Sequence, residues 1–115
     1  MEHVRDPKKA LAEIARILAP NGSHIFTVPL QRPIQEKSVV RVDTSGPTDI
    51  HLLPAHYHGN GKGGRSLVYT DFGADLLDMI RATGLYCSFQ FGRSESDTAN
   101  RVATVVSWRG ASEQE

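Results

Sequence analysis

The sequence has little cysteine, no long apolar runs and no net charge, and each shortage excludes a class of protein. Its 115 residues include one cysteine, Cys87, which excludes an internal disulfide and disfavours a thiolate zinc site. Lysine and arginine number 13, as do aspartate and glutamate, so the basic stripe of nucleic-acid-binding proteins is missing. The longest apolar stretches, 24–30 and 102–106, are far shorter than the roughly 20 residues of a membrane span. The sequence therefore predicts a cytoplasmic protein with no secretory leader and no membrane or nucleic-acid partner.

The residues that are present suit one modest domain. Apolar residues make up 39% of the chain, which is enough for a small core. We expect a single domain over 1–110 with a long loop over 31–69, and a short tail over 111–115.

Two segments have the spacing of amphipathic helices. Asp6 is a good N-cap, a proline follows it, and apolar residues recur at i, i+3, i+4 and i+7, which together predict a helix over 6–18. A second helix is predicted to begin after Thr70 or Asp71 and to end at Gly84.

Three segments are predicted to be strands. Residues 24–28 are apolar with little alternation, which is typical of a strand covered on both faces. Residues 85–91 and 102–108 alternate, which predicts an antiparallel pair joined by a polar loop. The 31–69 connection is expected to be irregular, with at most a brief strand at 38–42. This alternation of helices and strands predicts an α/β fold.

Several short motifs follow one another in an order that is typical of one enzyme family. They are Glu2-His3-Val4-x-Asp6-Pro7, Ala10-Leu11-x-Glu13-Ile14-x-Arg16-Ile17-Leu18-x-Pro20-x-Gly22, Phe26-x-Val28-Pro29, Tyr69-Thr70-Asp71-Phe72 and Thr83-Gly84-Leu85. Together they resemble the second half of class I S-adenosylmethionine-dependent methyltransferases of the type 11 kind. The resemblance implies part of a doubly wound, Rossmann-like sheet that ends in a C-terminal antiparallel hairpin, with two helices on one face. It also implies an enzyme that transfers a methyl group from S-adenosylmethionine to an acceptor that the sequence does not identify.

The chain departs from that family where the cofactor binds. Family members hold S-adenosylmethionine with a glycine-rich turn after the first strand and an acidic residue after the second. The one glycine cluster, 59–64, follows no clear strand and opens no helix, so we interpret it as a flexible loop. The resemblance thus implies an acceptor-side half that binds the cofactor poorly alone. Without the family's N-terminal half, one face of the sheet and the free edge of the 24–28 strand would be exposed. Such exposed surfaces predict a partner, either a second copy or the missing N-terminal half.

Five residues are candidates for the site. The resemblance places His3 near the methyl donor, where an imidazole could act as general base; alternatively, His3 only orients the helix that follows. By the same resemblance, the loop residues His56, Tyr57 and His58 shape the acceptor pocket. Arg32 could bind an acidic acceptor, or could be an ordinary solvated arginine.

A metal site is not expected from sequence spacing. His51, His56 and His58 could ligate a metal, but they match no zinc spacing signature, and a polar substrate lid is the favoured interpretation. The alternative to an enzyme is a non-catalytic interaction module derived from a shortened methyltransferase.

Overall fold

The computed structural model of the protein describes residues 1–30, 33–59, 61–91 and 102–111. These residues form two helices and a set of mostly short strands. In chain order they are α1 Pro7–Ile17, β1 Ser23–Pro29, β2 Val39–Val40, β3 Val42–Asp43, β4 Ile50–His51, β5 Tyr57–Gly59, β6 Arg65–Leu67, β7 Thr70–Asp71, α2 Leu76–Arg81, β8 Tyr86–Phe91 and β9 Val102–Trp108.

Helix α1 confirms the first predicted helix. The Asp6 side chain accepts a hydrogen bond from the Lys9 backbone N–H at 3.0 Å, and Pro7 occupies the start of the helix, where a missing N–H costs nothing. Leu11 and Ala15 are buried, as their spacing on one helix face predicts.

The C-terminal end of α1 is capped by a residue from the far end of the chain. Arg109 Nε donates a hydrogen bond to the Leu18 carbonyl oxygen at 2.8 Å, and the same guanidinium donates to the Ala15 carbonyl oxygen. The last carbonyl groups of a helix have no partner within it, so this arginine satisfies groups that would otherwise need water.

Strand β9 lies at the centre of the main sheet. The strand order is β1–β9–β8, and β9 runs antiparallel to both neighbours, so β1 and β8 run parallel to each other on either side of it. Val105 of β9 pairs with Phe26 of β1 and with Phe89 of β8. The predicted C-terminal antiparallel pair is confirmed; the polar loop predicted between its strands lies outside the described residues.

Both helices pack on one face of this sheet. Side chains alternate between the two faces of a strand, and the buried side chains of the three strands share one cluster with those of α1 and α2. The buried members of that cluster are Leu11, Ala15, Val28, Leu30, Phe72, Leu76, Ile80, Leu85, Cys87, Ala103 and Val105. Burial raises the pKa of the Cys87 thiol, as expected for a small apolar core residue.

The opposite face of the sheet is open to solvent within the described residues. Ile25 is 61% exposed and Tyr86 is 60% exposed, and the Tyr86 ring stacks on Trp108 with centroids 5.8 Å apart. The apolar run of β1 is typical of a strand covered on both faces, but in this structure β1 is covered on one.

Helix α2 is shorter than predicted: it begins at Leu76 rather than just after Thr70 or Asp71. Those two residues form β7, which pairs with β2. The backbone N–H of Ala74 then donates to the Gln35 carbonyl oxygen at 2.7 Å. The prediction was wrong here because an earlier segment of the chain takes the backbone groups that a first helical turn would use.

Two glycines permit the geometry around α2. Gly73 approaches the earlier segment so closely that a Cβ atom would lie 2.6 Å from the Gln35 carbonyl oxygen. Gly84 follows the helix with φ of +90°, a backbone conformation that favours glycine, and it confirms the predicted helix stop.

The long segment between β1 and α2 contains more regular structure than the sequence predicts. β3 pairs with β4 and β5 pairs with β6, both antiparallel. The brief strand expected at 38–42 is present as two separate strands, β2 and β3, which pair with different partners.

The observed fold confirms the mixed α/β class with two helices. Every strand pair in 1–30, 33–59, 61–91 and 102–111 is antiparallel. Among these residues, neither helix has the length and apolar character that crossing a bilayer requires.

Ile80→Ala should destabilise the protein far more than Ile17→Ala. Ile80 is 0% exposed and Ile17 is 68% exposed. Truncating the buried side chain removes apolar contacts and leaves a cavity, which costs about 2–5 kcal/mol, whereas the exposed site should change stability by about 0.5 kcal/mol or less. Urea denaturation measures both free energies of unfolding, and equal losses would contradict the described core.

Candidate functional site

A small cavity lies where β1 ends. Its volume is about 110 Å³, and its lining includes Pro29 and Leu30 at the carboxyl end of the strand, together with Glu2, His56 and His58. The cavity therefore brings side chains of the N-terminal segment and of the β5 region together at one end of the sheet.

The N-terminal segment is held against the cavity by hydrogen bonds to distant residues. The backbone N–H of Tyr69 donates to the Glu2 carbonyl oxygen at 2.8 Å. His3 Nδ1 lies 2.8 Å from the Leu67 carbonyl oxygen. A carbonyl oxygen can only accept, so Nδ1 of His3 carries a hydrogen and donates it to Leu67. The other ring nitrogen, Nε2, lies 3.3 Å from Glu2 Oε1.

Two loop histidines meet this segment from the β5 side. His58 lies in β5, and its Nδ1 is 4.0 Å from Glu2 Oε1. Its ring is nearly perpendicular to that of His3, with centroids 5.2 Å apart, and it has the same relation to the ring of His56. His56 and His58 are two residues apart in extended chain, which brings their side chains to one side.

Burial lowers the pKa of His58 below its ordinary value of 6.5. The neighbouring His3 and His56 lower it further, whereas the carboxylates of Glu2 and Asp71 act in the opposite direction. His58 is therefore neutral near pH 7, with a ring nitrogen available to accept a proton or a metal ion.

The structure brings together three of the five predicted site residues. His3, His56 and His58 form one cluster, although His3 is more than fifty residues from the other two. Tyr57 is exposed on the other side of β5, where the guanidinium carbon of Arg65 lies 4.6 Å from the centre of its ring. Arg32 lies outside the described residues. The roles predicted for these residues remain predictions.

Sequence reasoning missed Glu2 as a member of the site. Its carboxylate is the group that His3 and His58 share, at 3.3 and 4.0 Å. Adjacency to His3 was the one available signal, because no local spacing relates residue 2 to β5.

A larger, open cleft of about 570 Å³ lies between the start of α1 and the β3–β4 pair. The Arg5 guanidinium in its lining is already engaged by both carboxylate oxygens of Asp49, at 2.6 and 3.0 Å. The remaining lining mixes Asp6, Lys8 and Asp43 with apolar and small polar side chains. The histidine cluster is the better candidate site because it brings three potential ligand side chains within 4.8 Å of one another.

Comparison with protein-family models, with curated proteins and with solved structures finds no match.

Glu2→Gln should lower the pKa of His58 further, because it removes a negative charge that favours the imidazolium. Asp49→Asn, which removes a carboxylate paired with Arg5, is the control and should leave His58 unchanged. NMR titration of the imidazole carbon-bound protons measures both. A wild-type pKa at or above 6.5, or no change in Glu2→Gln, would count against the described environment.

The lowered pKa of His58 determines the direction in which the stability of the protein changes with pH. His58 in the unfolded chain takes up a proton at higher pH than in the folded chain. Its contribution to stability is therefore complete above pH 6.5 and decreases as the pH falls toward the folded-state pKa.

Proposed function

We propose that the chain is the acceptor-facing part of a cytoplasmic class I S-adenosylmethionine-dependent methyltransferase. The proposal starts from the ordered motifs that resemble that family, from Glu2-His3-Val4 to Thr83-Gly84-Leu85. It assigns the three-stranded sheet to the end of a larger, doubly wound sheet whose donor-binding strands lie outside this chain.

The strand order β1–β9–β8 is the observation that carries the proposal. The family's fifth, sixth and seventh strands include one antiparallel strand inserted among parallel ones. Here β9 lies antiparallel between β1 and β8, which are parallel to each other. Packing of both helices on one face supports the same assignment, because the other helices of the family cover the opposite face.

Donor binding is assigned to residues beyond this chain. The glycine cluster connects β5 to β6, and Gly61 and Gly63 adopt positive φ angles of 75° and 79° there. Such a turn opens no helix, so it lacks the helix N-terminus that helps a glycine-rich turn to bind a nucleotide. On this proposal the donor-binding strands extend the sheet along the outer edge of β1, beside the histidine cluster.

The proposed reaction uses His3 as general base. A lone pair of the acceptor nitrogen, oxygen or carbon attacks the methyl carbon of the sulfonium, and the sulfur keeps the electron pair of the breaking bond. The reaction requires Nε2 of His3 without a hydrogen, so that Nε2 takes up the acceptor proton while Nδ1 stays hydrogen-bonded to the Leu67 carbonyl oxygen. His56 and His58, which line the cavity at the end of β1, are proposed to shape the acceptor pocket.

A second candidate, a non-catalytic interaction module, is favoured by the open face of the sheet. Ile25, Tyr86 and Trp108 are exposed there, on the side away from both helices. A module of this kind would bind through that face whether or not a methyl donor were present. The partner would be a second copy of the chain or the N-terminal half of a methyltransferase.

S-adenosylhomocysteine should perturb the backbone amide signals of residues 2–4 and of the carboxyl end of β1. Because the glycine-rich turn is missing, we expect weak, millimolar binding that still shows saturation in an NMR titration. Adenosine triphosphate, which shares the adenosine moiety, is the control ligand and should give no matching pattern. Saturable shifts at residues 2–4 and at the end of β1 would support the methyltransferase proposal, and shifts confined to the larger cleft would contradict it.

The isolated chain should self-associate through the open sheet face. Replacing Ile25 and Tyr86 together by serine should convert the associated form to monomer, because it removes exposed apolar surface. Ile17→Ser, at an exposed position on α1, should leave the association unchanged. Sedimentation equilibrium reads the mass directly, and a wild-type monomer at all concentrations is the contrary result.

A further inference from the structure

We propose that Glu2, His3 and His58 bind a divalent first-row transition metal ion of the zinc class. This inference stands apart from methyl transfer, since it concerns the donor atoms of three half-buried side chains and needs no cofactor. Sequence spacing favours no metal site, but that expectation considered only the loop histidines. The fold adds a carboxylate and an imidazole from the other end of the segment.

The donor atoms are already close enough for a shared ion. One ligand atom from each of the three residues lies within 4.8 Å of the other two. Glu2 Oε1 is 3.3 Å from His3 Nε2 and 4.0 Å from His58 Nδ1. Tetrahedral ligands about 2.0–2.1 Å from zinc are separated by about 3.3–3.4 Å, so small side-chain rotations complete the set.

The hydrogen bond of His3 is the one that a metal-binding histidine needs. Imidazole ligands usually donate their second ring N–H to a carboxylate or a backbone carbonyl, which fixes the ring and leaves the other nitrogen for the metal. His3 Nδ1 makes this contact with the Leu67 carbonyl oxygen at 2.8 Å. Nε2 is thereby directed toward the Glu2 carboxylate, 3.3 Å from Oε1.

The chemistry of the donors selects the ion. Two imidazoles and one carboxylate suit zinc, cobalt or nickel, whereas magnesium and calcium prefer sets made of oxygen. Glu2 supplies one negative charge against the two of the ion, and its second oxygen, Oε2, lies 3.3 Å from the Met1 ammonium.

The cavity of about 110 Å³ adjoins the ligand set, because Glu2 and His58 both line it. His56 also lines the cavity, and its ring lies against that of His58 with centroids 5.2 Å apart. Because the ion takes the Nε2 lone pair of His3, metal binding and proton acceptance by His3 exclude each other. Metal occupancy would therefore block the proposed general base.

Cobalt binding to the full chain tests the site. Co²⁺ in a four-coordinate site with nitrogen ligands absorbs visible light strongly, so a titration reports both affinity and coordination. We expect saturation at one ion per chain, competition by Zn²⁺ and no competition by Mg²⁺. His3→Ala and His58→Ala should each weaken binding by at least about tenfold, as loss of a ligand exceeds loss of an outer contact.

His51→Ala is the matched control, since His51 is an exposed histidine of the same segment that lies in β4, outside the cluster. It should bind Co²⁺ like the wild type. Glu2→Gln retains the shape of the side chain and should also weaken binding. Circular dichroism of each variant identifies any that fails to fold, and Glu2→Gln then remains as the conservative test.

Unchanged binding in His3→Ala, His58→Ala and Glu2→Gln would overturn the site, as would the weak spectrum of a six-coordinate ion. The result is independent of the S-adenosylhomocysteine titration. Metal binding at these residues supports this inference whether or not S-adenosylhomocysteine binds, and S-adenosylhomocysteine shifts at residues 2–4 support the proposed function whether or not the metal binds.

Discussion

The hydrogen bonding of β9 along both edges is the constraint on which the rest of the structure depends. β1 and β8 do not pair with each other, so β9 alone holds them in one sheet and sets their relative direction. Ala103 and Val105 of β9 are fully buried under the helices, and the pairing brings Phe26 and Phe89 to either side of Val105. Arg109, just beyond the strand, then caps α1. One strand thereby aligns the sheet, the core and the first helix.

The histidine cluster depends on a second set of long-range contacts. Glu2 and His3 are held by the backbone of Tyr69 and Leu67, which adjoin β6 and β7. Because β6 pairs with β5, the same interaction brings His58 to the N-terminal segment. The short strands β5 and β6 add little to the core, but they position the titratable side chains of the candidate site. A general base and a metal ligand set are two uses of this arrangement that exclude each other at His3.

Local sequence patterns were sufficient to predict α1, β8 and β9, because their signals come from residues close together in the chain. Asp6 caps α1 by accepting a hydrogen bond from a backbone N–H of the first turn, as an aspartate at a helix start commonly does. The alternation in β8 and β9 reflects a sheet with one buried face. The start of α2 could not be predicted in this way, because Thr70 and Asp71 pair with β2 instead of extending the helix. Propensity gives way where tertiary hydrogen bonds compete for the same backbone groups.

The site was predictable residue by residue but not as an arrangement. A histidine after an acidic residue, and two histidines at i and i+2, are visible in the sequence as separate signals. The register of β5 on β6, together with two main-chain contacts of the N-terminal segment, brings these histidines together. Strands of two or three residues are too short to show a periodic pattern in the sequence, so this register could not be predicted. Glu2 was missed for that reason.

The most direct measurement of the central position of β9 is a set of nuclear Overhauser contacts from Thr104. This residue is paired with Thr27 of β1 and with Gln90 of β8. The account predicts backbone contacts from Thr104 to both residues, and none between Thr27 and Gln90. Direct contacts between Thr27 and Gln90 would place β1 beside β8, and would contradict both the fold described here and the methyltransferase proposal that depends on its strand order.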